Sequence, residues 1–245
     1  MIPSPLLSMG AGKTKTMSVH RIAVRETNCY LLQGTGGTVL IDPGPPGVAP
    51  AIIAGAGAAG LHSEDIQLIL VTHGHLDHYG AAADVKAWCG APVAAYRSEL
   101  VFSQDRRNAL PPAQTLRGSV TRWVYLLLSP LFPFVPLETD TLVDDGDDLS
   151  PYGVDAKAIL TPGHSPGSLT VVTAEGDAFV GDLFVNYGVP SQPLYLSDRK
   201  AWQQSYQHLQ ALDPRMVYVG HGEPFPGDKL DSIFPARYQL CWWVR

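Results

Sequence analysis

Three histidines and an aspartate fall within the six residues from His73 to His78, in the stretch Thr72-His73-Gly74-His75-Leu76-Asp77-His78-Tyr79-Gly80. Imidazoles and carboxylates at that density need partners or a metal, because each is costly to bury alone. On an extended or turning loop His73 and His75 can point the same way. Asp77 and His78, carried onto a first helical turn, then face a neighbouring position. The spacing thus presents ligands to two adjacent ions rather than one. Each half-site still lacks donors, since a catalytic zinc commonly takes three protein groups and keeps a place for water. Candidates lie further on: His164 in Thr161-Pro162-Gly163-His164-Ser165-Pro166-Gly167-Ser168, Asp182 after Gly181, and His221 between Gly220 and Gly222. Taken singly, each of these also fits an ordinary cap or turn residue. As a set they do not, because five of the eight histidines occupy such places and only His20, His62 and His208 lie elsewhere.

The elements that must position these residues are short. His20 to Val24, Cys29 to Gln33 and Thr38 to Ile41 are β-prone runs separated by polar or Gly-rich turns, an opening antiparallel meander. Asp42-Pro43-Gly44 ends the third run, and Ala49 to Gly60 has helical composition despite two internal glycines. Ile66 to Val71 is a continuous apolar run suited to a strand buried on both faces, and the His73–His78 cluster follows it directly. Ala81 to Cys89 reads as helix and Pro92 to Tyr96 as strand. An inserted helical region then runs from about Arg97 to Thr139 and holds Arg106 and Arg107. Strands resume at Ala156 to Leu160, Leu169 to Thr173 and Ala178 to Val180, followed by a helix over Arg199 to Leu212 and a strand at Met216 to Val219. Every candidate ligand therefore sits at a strand end, where open α/β architectures place their ligands. Two halves, each of strands followed by helix, fit a two-sheet sandwich with helices outside.

Composition sets the limits on partners. A chain of 245 residues with 45% hydrophobic content fits one α/β domain, expected to span 1–245 with a loose start at 1–18. The net charge is −6 and no run of Lys and Arg forms the footprint of a phosphate-backbone binder, which argues against a nucleic-acid partner. Cys29, Cys89 and Cys241 are too widely spaced for a disulfide framework or a thiolate zinc site. Together with a start that has no secretory pattern, they imply a cytoplasmic setting. The longest greasy segment, Val124 to Leu137, is interrupted by three prolines and is too short to span a bilayer.

The pattern HGHLDH, then TPGH, GD and GHG in that order, resembles the metallo-beta-lactamase superfamily over nearly the whole chain. Asn28-Cys29-Tyr30-Leu31 and Val39-Leu40-Ile41-Asp42-Pro43-Gly44 look like its opening strands. The resemblance implies a four-layer αββα sandwich with the site at one edge. It also implies a ligand set: His73, His75 and His164 on a first ion, Asp77, His78 and His221 on a second, and Asp182 bridging both. The ions expected are two divalent metals, zinc first, with iron or manganese as alternatives. The implied chemistry is hydrolysis of a small ester, thioester or lactone by a metal-bridging hydroxide, with Asp77 holding the nucleophile's proton.

The resemblance is nearest to the glyoxalase II and lactonase-like branch. An aspartate at the bridging place is unlike true β-lactamases of the superfamily. The end from Asp231, with only Arg237 and Arg245, is unlike the basic tail of glyoxalase II. Tyr187 is the candidate donor to a substrate carbonyl or leaving group, with packing under the loop as the alternative. In the insertion, Trp123, Tyr125, Leu127, Leu128, Phe132 and Phe134 are candidates to line a pocket or lid, or else to form a homodimer interface; membrane contact is weakened by having only Arg117 and Arg122 nearby. Asp42 either orients a metal histidine or holds its own turn, and Glu223 reads as a turn residue. Two rival functions share these residues: a persulfide dioxygenase-like oxidoreductase using one iron on His73, His164 and Asp182, and a phosphodiesterase.

Overall fold

The computed structural model describes residues 17–105, 112–114, 116–128 and 136–233. Arg106, Arg107, Phe132, Phe134, Arg237, Cys241 and Arg245, named above, lie outside them, as does most of the expected loose start; Ser18 already opens a strand. The first sheet runs in the order β1 (Ser18–Val24), β2 (Thr27–Gln33), β3 (Thr38–Ile41), β4 (Ile66–Leu70), β5 (Val93–Ala95) and β6 (Thr141–Leu142). Its first three strands form the antiparallel meander, and β3 to β6 are parallel. Helices α1 (Ala49–Ala58) and α3 (Ala82–Cys89) make the crossovers between parallel strands. The second sheet is ordered β15 (Phe225–Pro226), β13 (Met216–Tyr218), β10 (Asp177–Phe179), β9 (Leu169–Thr173), β8 (Ala156–Leu160) and β7 (Asp147–Asp148). Helix α6 (Arg199–Ala211) lies on its outer side.

Side-chain alternation makes this a four-layer αββα sandwich. Tyr30, Leu32, Val39, Ile41, Leu68 and Leu70 point inward and meet Ala158, Val171 and Phe179 of the second sheet. Their neighbours Cys29, Leu31, Leu40, Ile69 and Val71 point outward onto α1 and α3, against Ile52 and Val85. On the far side Ala178, Val180, Val217 and Val219 pack against Trp202 and Leu209 of α6. A strand buried on both faces keeps few polar positions, which is why these runs read as nearly continuous apolar stretches, broken in β4 by the exposed Gln67. One of the two glycines inside α1 has a packing reason: a side chain on Gly55 would come within 2.5 Å of Ile22 of β1, so its absence lets the helix settle on the meander.

The differences from the expected elements lie in short pieces. The end of the histidine cluster forms a separate single-turn helix, α2 (Leu76–Tyr79), before α3. The break comes because the Ala81 N–H leaves the helix to donate to Gly44. A third sheet, β12 (Pro190–Ser191), β11 (Val185–Asn186) and β14 (His221–Gly222), has strands of two residues, too short for any period to register. The insertion forms α4 (Arg97–Phe102) and α5 (Leu116–Leu128). On α5 Trp123 is 71% and Leu127 79% exposed, so they line no core. No helix among the described residues is long and apolar enough to cross a membrane.

Phe179 is 1% exposed and stacks on Tyr218 at 4.5 Å, with Tyr30 edge-on at 5.2 Å. Truncation there opens a cavity between the two sheets. Phe179→Ala should lower unfolding free energy by about 3–5 kcal/mol in urea titration.

Candidate metal centre

The carboxyl ends of β3, β4, β8, β10 and β13 open on one edge of the sandwich, and the loops leaving them bring His73, His75, Asp77, His78, His164, Asp182 and His221 together. His73 and His75 come from the loop after β4, Asp77 and His78 from α2, His164 from the loop after β8, and Asp182 from the turn after β10. His221 lies in β14, paired in parallel with Val185 of β11 just beyond Asp182. That pairing is why a histidine read as a loop residue ends beside the aspartate.

Two groups of donors form around Asp182. The His75 Nδ1 lies 3.0 Å from the His73 Nε2 and 2.9 Å from the His164 Nε2. The His221 Nε2 lies 3.3 Å from both the His78 Nε2 and the Asp77 Oδ2. The Asp182 carboxylate stands between them, with Oδ2 at 3.4 Å from the His164 Nε2 and 3.3 Å from the His221 Nε2, and Oδ1 at 3.4 Å from the His78 Nε2. His73 and His78 are fully buried, His75, His164 and Asp182 nearly so, and Asp77 is half-exposed.

The partners on the other side of each ring decide what these nitrogens can do. His164 Nδ1–H donates to the Tyr195 carbonyl at 3.0 Å and His221 Nδ1–H to the Glu26 carbonyl at 2.6 Å, since a carbonyl can only accept. His78 Nδ1–H donates to Asp42 Oδ2 at 2.8 Å. The Thr72 hydroxyl spends its proton on Asp42 at 2.7 Å and so accepts from His73 Nδ1–H at 3.0 Å. In the neutral form all four rings therefore turn a bare Nε2 lone pair inward. Lone pairs facing one another and a carboxylate at such distances repel unless a proton or a metal cation lies among them. The donor set, imidazole nitrogens with two carboxylates, suits a divalent transition metal, and Asp182 Oδ1, buried without a hydrogen bond, is a free donor atom.

Electrostatics divides the two groups. Burial, with the other histidines adding to it, holds His73 and His75 far below the usual histidine range, His75 at about 3, and burial lowers His164 too. Burial opposes protonation of His78 and His221 as well, but Asp182 and Asp77 overcome it and push them up to about 9 and about 12. The same histidines hold Asp182 and Asp77 below the usual carboxylate range against desolvation.

The supports explain several residues singled out by sequence. Asp42 accepts from the Thr72 N–H at 2.7 Å as well as from His78, and adopts φ of 52°, a left-handed conformation aspartate tolerates. It orients a histidine of the cluster. Asn28 binds the strand end that carries His221: its N–H donates to Gly220 at 2.8 Å and its Nδ2 to Val219 at 2.9 Å and Gly222 at 2.7 Å. Gly220 admits no side chain, because a Cβ there would collide with Asp182 Oδ1. Glu223 pairs with Arg21 of β1 through both carboxylate oxygens and stays off the centre. Tyr187 follows β11, is 67% exposed, and is acted on by the charges of His221 and Asp182. His20, His62 and His208 belong to none of the donor groups. Sequence reasoning missed Thr72 and the carbonyls of Glu26 and Tyr195. Only Thr72 carried a signal, its place beside His73; every residue owns a carbonyl.

The model of the metallo-beta-lactamase superfamily matches residues 22–221. The chain belongs to this superfamily. It is 28% identical to the probable metallo-hydrolase YflN of Bacillus subtilis (strain 168), with 93% of each chain covered. It is 27% identical to an atrochrysone carboxyl ACP thioesterase of Aspergillus fumigatus over 82% of this chain and 52% of that one, about half the relative's length. It is 28% identical to a hydroxyacylglutathione hydrolase of Rhodospirillum rubrum over 84% of this chain and 66% of the other. Among solved structures it is similar to TTHA1623 in a di-iron-bound form, with a TM-score of 0.64, 27% identity, and 88% and 96% of the two chains covered. Membership of the superfamily and the His/Asp cluster together make this a metallo-hydrolase chain with a divalent-metal site.

The two groups should differ in their coupling to protons. Below pH 9 a metal entering the Asp77–His78–His221 group must displace protons from His78 and His221, whereas His73, His75 and His164 are already neutral at pH 7. Stripped protein titrated calorimetrically in buffers of different ionisation enthalpy should show one event that releases about two protons and tightens as pH rises towards 9, and one nearly independent of pH. Equal proton release by both events would contradict this division.

Proposed function

We propose that the chain is a zinc-dependent hydrolase of small ester, thioester or lactone substrates, with a dinuclear centre. His73, His75 and His164 would hold a first ion and Asp77, His78 and His221 a second, with the Asp182 carboxylate available to both. The observation that carries this reading is the convergence of bare Nε2 atoms fixed by Thr72, Asp42, Tyr195 and Glu26. Divalent ions bound there supply Lewis acidity, lowering the pKa of water and polarising an acyl carbonyl.

The chain's residues do the rest. Asp77, ionised and half-exposed beside His221, accepts the nucleophile's proton from the solvent side. Burial raises the Tyr187 hydroxyl's pKa, so it stays protonated and donates to the substrate carbonyl or leaving group. A cavity of about 1000 Å³ lies beside the centre, lined by Tyr96, Val101, Phe102, Pro112 and Pro166, with Arg97 and Arg122 in its wall. Phe102 connects it to the cluster, its ring 5.4 Å from that of His75. This space suits an apolar acyl group, and its wall is mixed in charge because Asp105 stands with the two arginines. Of the insertion residues first considered, Trp123, Tyr125, Leu127 and Leu128 do not line it, and the exposure of Trp123 and Leu127 on α5 favours the homodimer reading over the pocket reading. The thioesterase and hydroxyacylglutathione hydrolase relatives favour acyl substrates over the phosphodiesterase alternative.

Purified protein should carry two zinc ions per chain and hydrolyse members of a panel of thioesters, lactones and aryl esters anaerobically, with no turnover of a phosphodiester or a β-lactam. One iron per chain with oxygen uptake on a persulfide would replace this reading with the oxidoreductase. Asp182→Ala and His164→Ala should lose bound metal and lower kcat/KM about a thousandfold, the loss of several kcal/mol of charge stabilisation. Tyr187→Phe should keep both ions and lower kcat/KM about 5- to 10-fold, one neutral hydrogen bond's worth.

A further inference from the structure

The two loops that carry the first group of ligands share one anchor. Glu99, in the first turn of α4, is fully buried. Its Oε2 accepts from the Gly74 N–H at 2.6 Å and its Oε1 from the Gly167 N–H at 2.6 Å. Gly74 lies between His73 and His75, and Gly167 lies three residues beyond His164. The Ser103 N–H caps α4 on the Glu99 carbonyl at 2.9 Å. The loops are otherwise joined on the backbone by the Leu169 N–H on the Thr72 carbonyl at 2.9 Å, at the far side of both.

A buried carboxylate is kept only where its oxygens are satisfied, and bonds as short as these are typical of an ionised acceptor. One rigid group with two acceptor atoms therefore fixes the distance between two segments distant in sequence. Metal–nitrogen bonds leave little room: about 2.0–2.1 Å for zinc, with a tolerance of about 0.2 Å. The Asp77–His78–His221 group is held differently, by Asp42, Asn28 and the β11–β14 pairing, none of which touches Glu99.

We propose that Glu99 is a positioning residue for the first ion. It holds the His73–His75 loop and the His164 loop at the separation at which their three ring nitrogens converge. This rests on the ligand reading above. It also means that the inserted segment, which begins at α4, is tied to both ligand loops through this carboxylate, beside the Phe102 ring that packs on His75. Glutamine in the same place keeps size and packing but offers one acceptor and one N–H donor, and that donor faces a backbone N–H.

The test is a cobalt titration of stripped protein, read by visible absorption and calorimetry. His164→Ala and His221→Ala mark which binding event belongs to which group. E99Q should weaken the event lost in His164→Ala by about 10- to 100-fold, as supports behind metal ligands do. The event lost in His221→Ala should keep its wild-type affinity and spectrum. Circular dichroism and thermal midpoint report on the fold, and if E99Q does not fold, E99D keeps the charge, shortens the reach by one methylene and carries the same comparison. Unchanged affinity at both events, or equal weakening of both, overturns the role assigned to Glu99 while leaving the ligand reading intact. Wild-type protein that takes up no cobalt overturns the ligand reading, and the inference with it.

Discussion

The constraint that governs this molecule is the repulsion stored among bare ring nitrogens and two carboxylates crowded into a largely dry edge of the sandwich. Every neutral Nε2 faces another ligand atom at 2.9–3.4 Å, and Asp182 adds a buried negative charge between them. Such an arrangement collapses or protonates unless a cation compensates it. The protein's own substitute is to protonate His78 and His221, which Asp182 and Asp77 hold charged well above the ordinary histidine range. In the first group burial keeps His73, His75 and His164 neutral, so without a metal its relief is a proton on the His75 Nδ1, which can donate to the His73 or the His164 nitrogen but not to both fully. Metal binding and proton occupancy are thus competing solutions to one electrostatic problem.

Holding mutually repelling groups in place requires a scaffold that does not yield, and the double sandwich supplies it. Ligands leave the ends of strands buried on both faces, where inward Leu68 and Leu70 and outward Ile69 and Val71 leave no freedom to slip register. The supports are backbone carbonyls, one threonine and carboxylates fixed by several hydrogen bonds, each tying strand ends far apart in sequence. Asn28 connects β2 to the Val219–Gly222 segment, and Asp42 connects the end of β3 to Thr72 and His78. The positive φ at Asp42 is a local strain that the surrounding hydrogen bonds sustain.

How much of this could be read from sequence follows from what leaves a local trace. Rare residue types packed beside glycines after apolar runs identified His73 to His78, His164, Asp182 and His221, and the long buried strands and both crossover helices were legible as apolar runs and helical composition. The strands β11 and β14 were not, since two residues carry no period, and so the sequence left His221 in a loop. Asp42 could be read two ways because a strand-ending aspartate before Pro-Gly suits a turn as well as a histidine partner. Glu99 left no trace at all: its partners are Gly74 and Gly167, 25 and 68 residues away, and neither contributes a side chain. On α5 an amphipathic stripe looks the same in sequence whether it meets a cavity or solvent, and the structure turns Trp123 and Leu127 outward.

The arrangement also separates chemistry from specificity unevenly. The second donor group is held by elements of the main sandwich and is insulated from the insertion. The first group is joined to α4, and α4 also supplies Arg97, Val101 and Phe102 to the cavity beside the centre. A substitution that reshapes the cavity by moving α4 therefore moves Glu99, and with it the loops of His75 and His164. The cavity can be reshaped without tilting that helix on lining residues such as Val101, whose side chain is mostly solvent-exposed. The carboxylate that keeps the first group in register is, by the same geometry, the limit on how far the insertion can diverge.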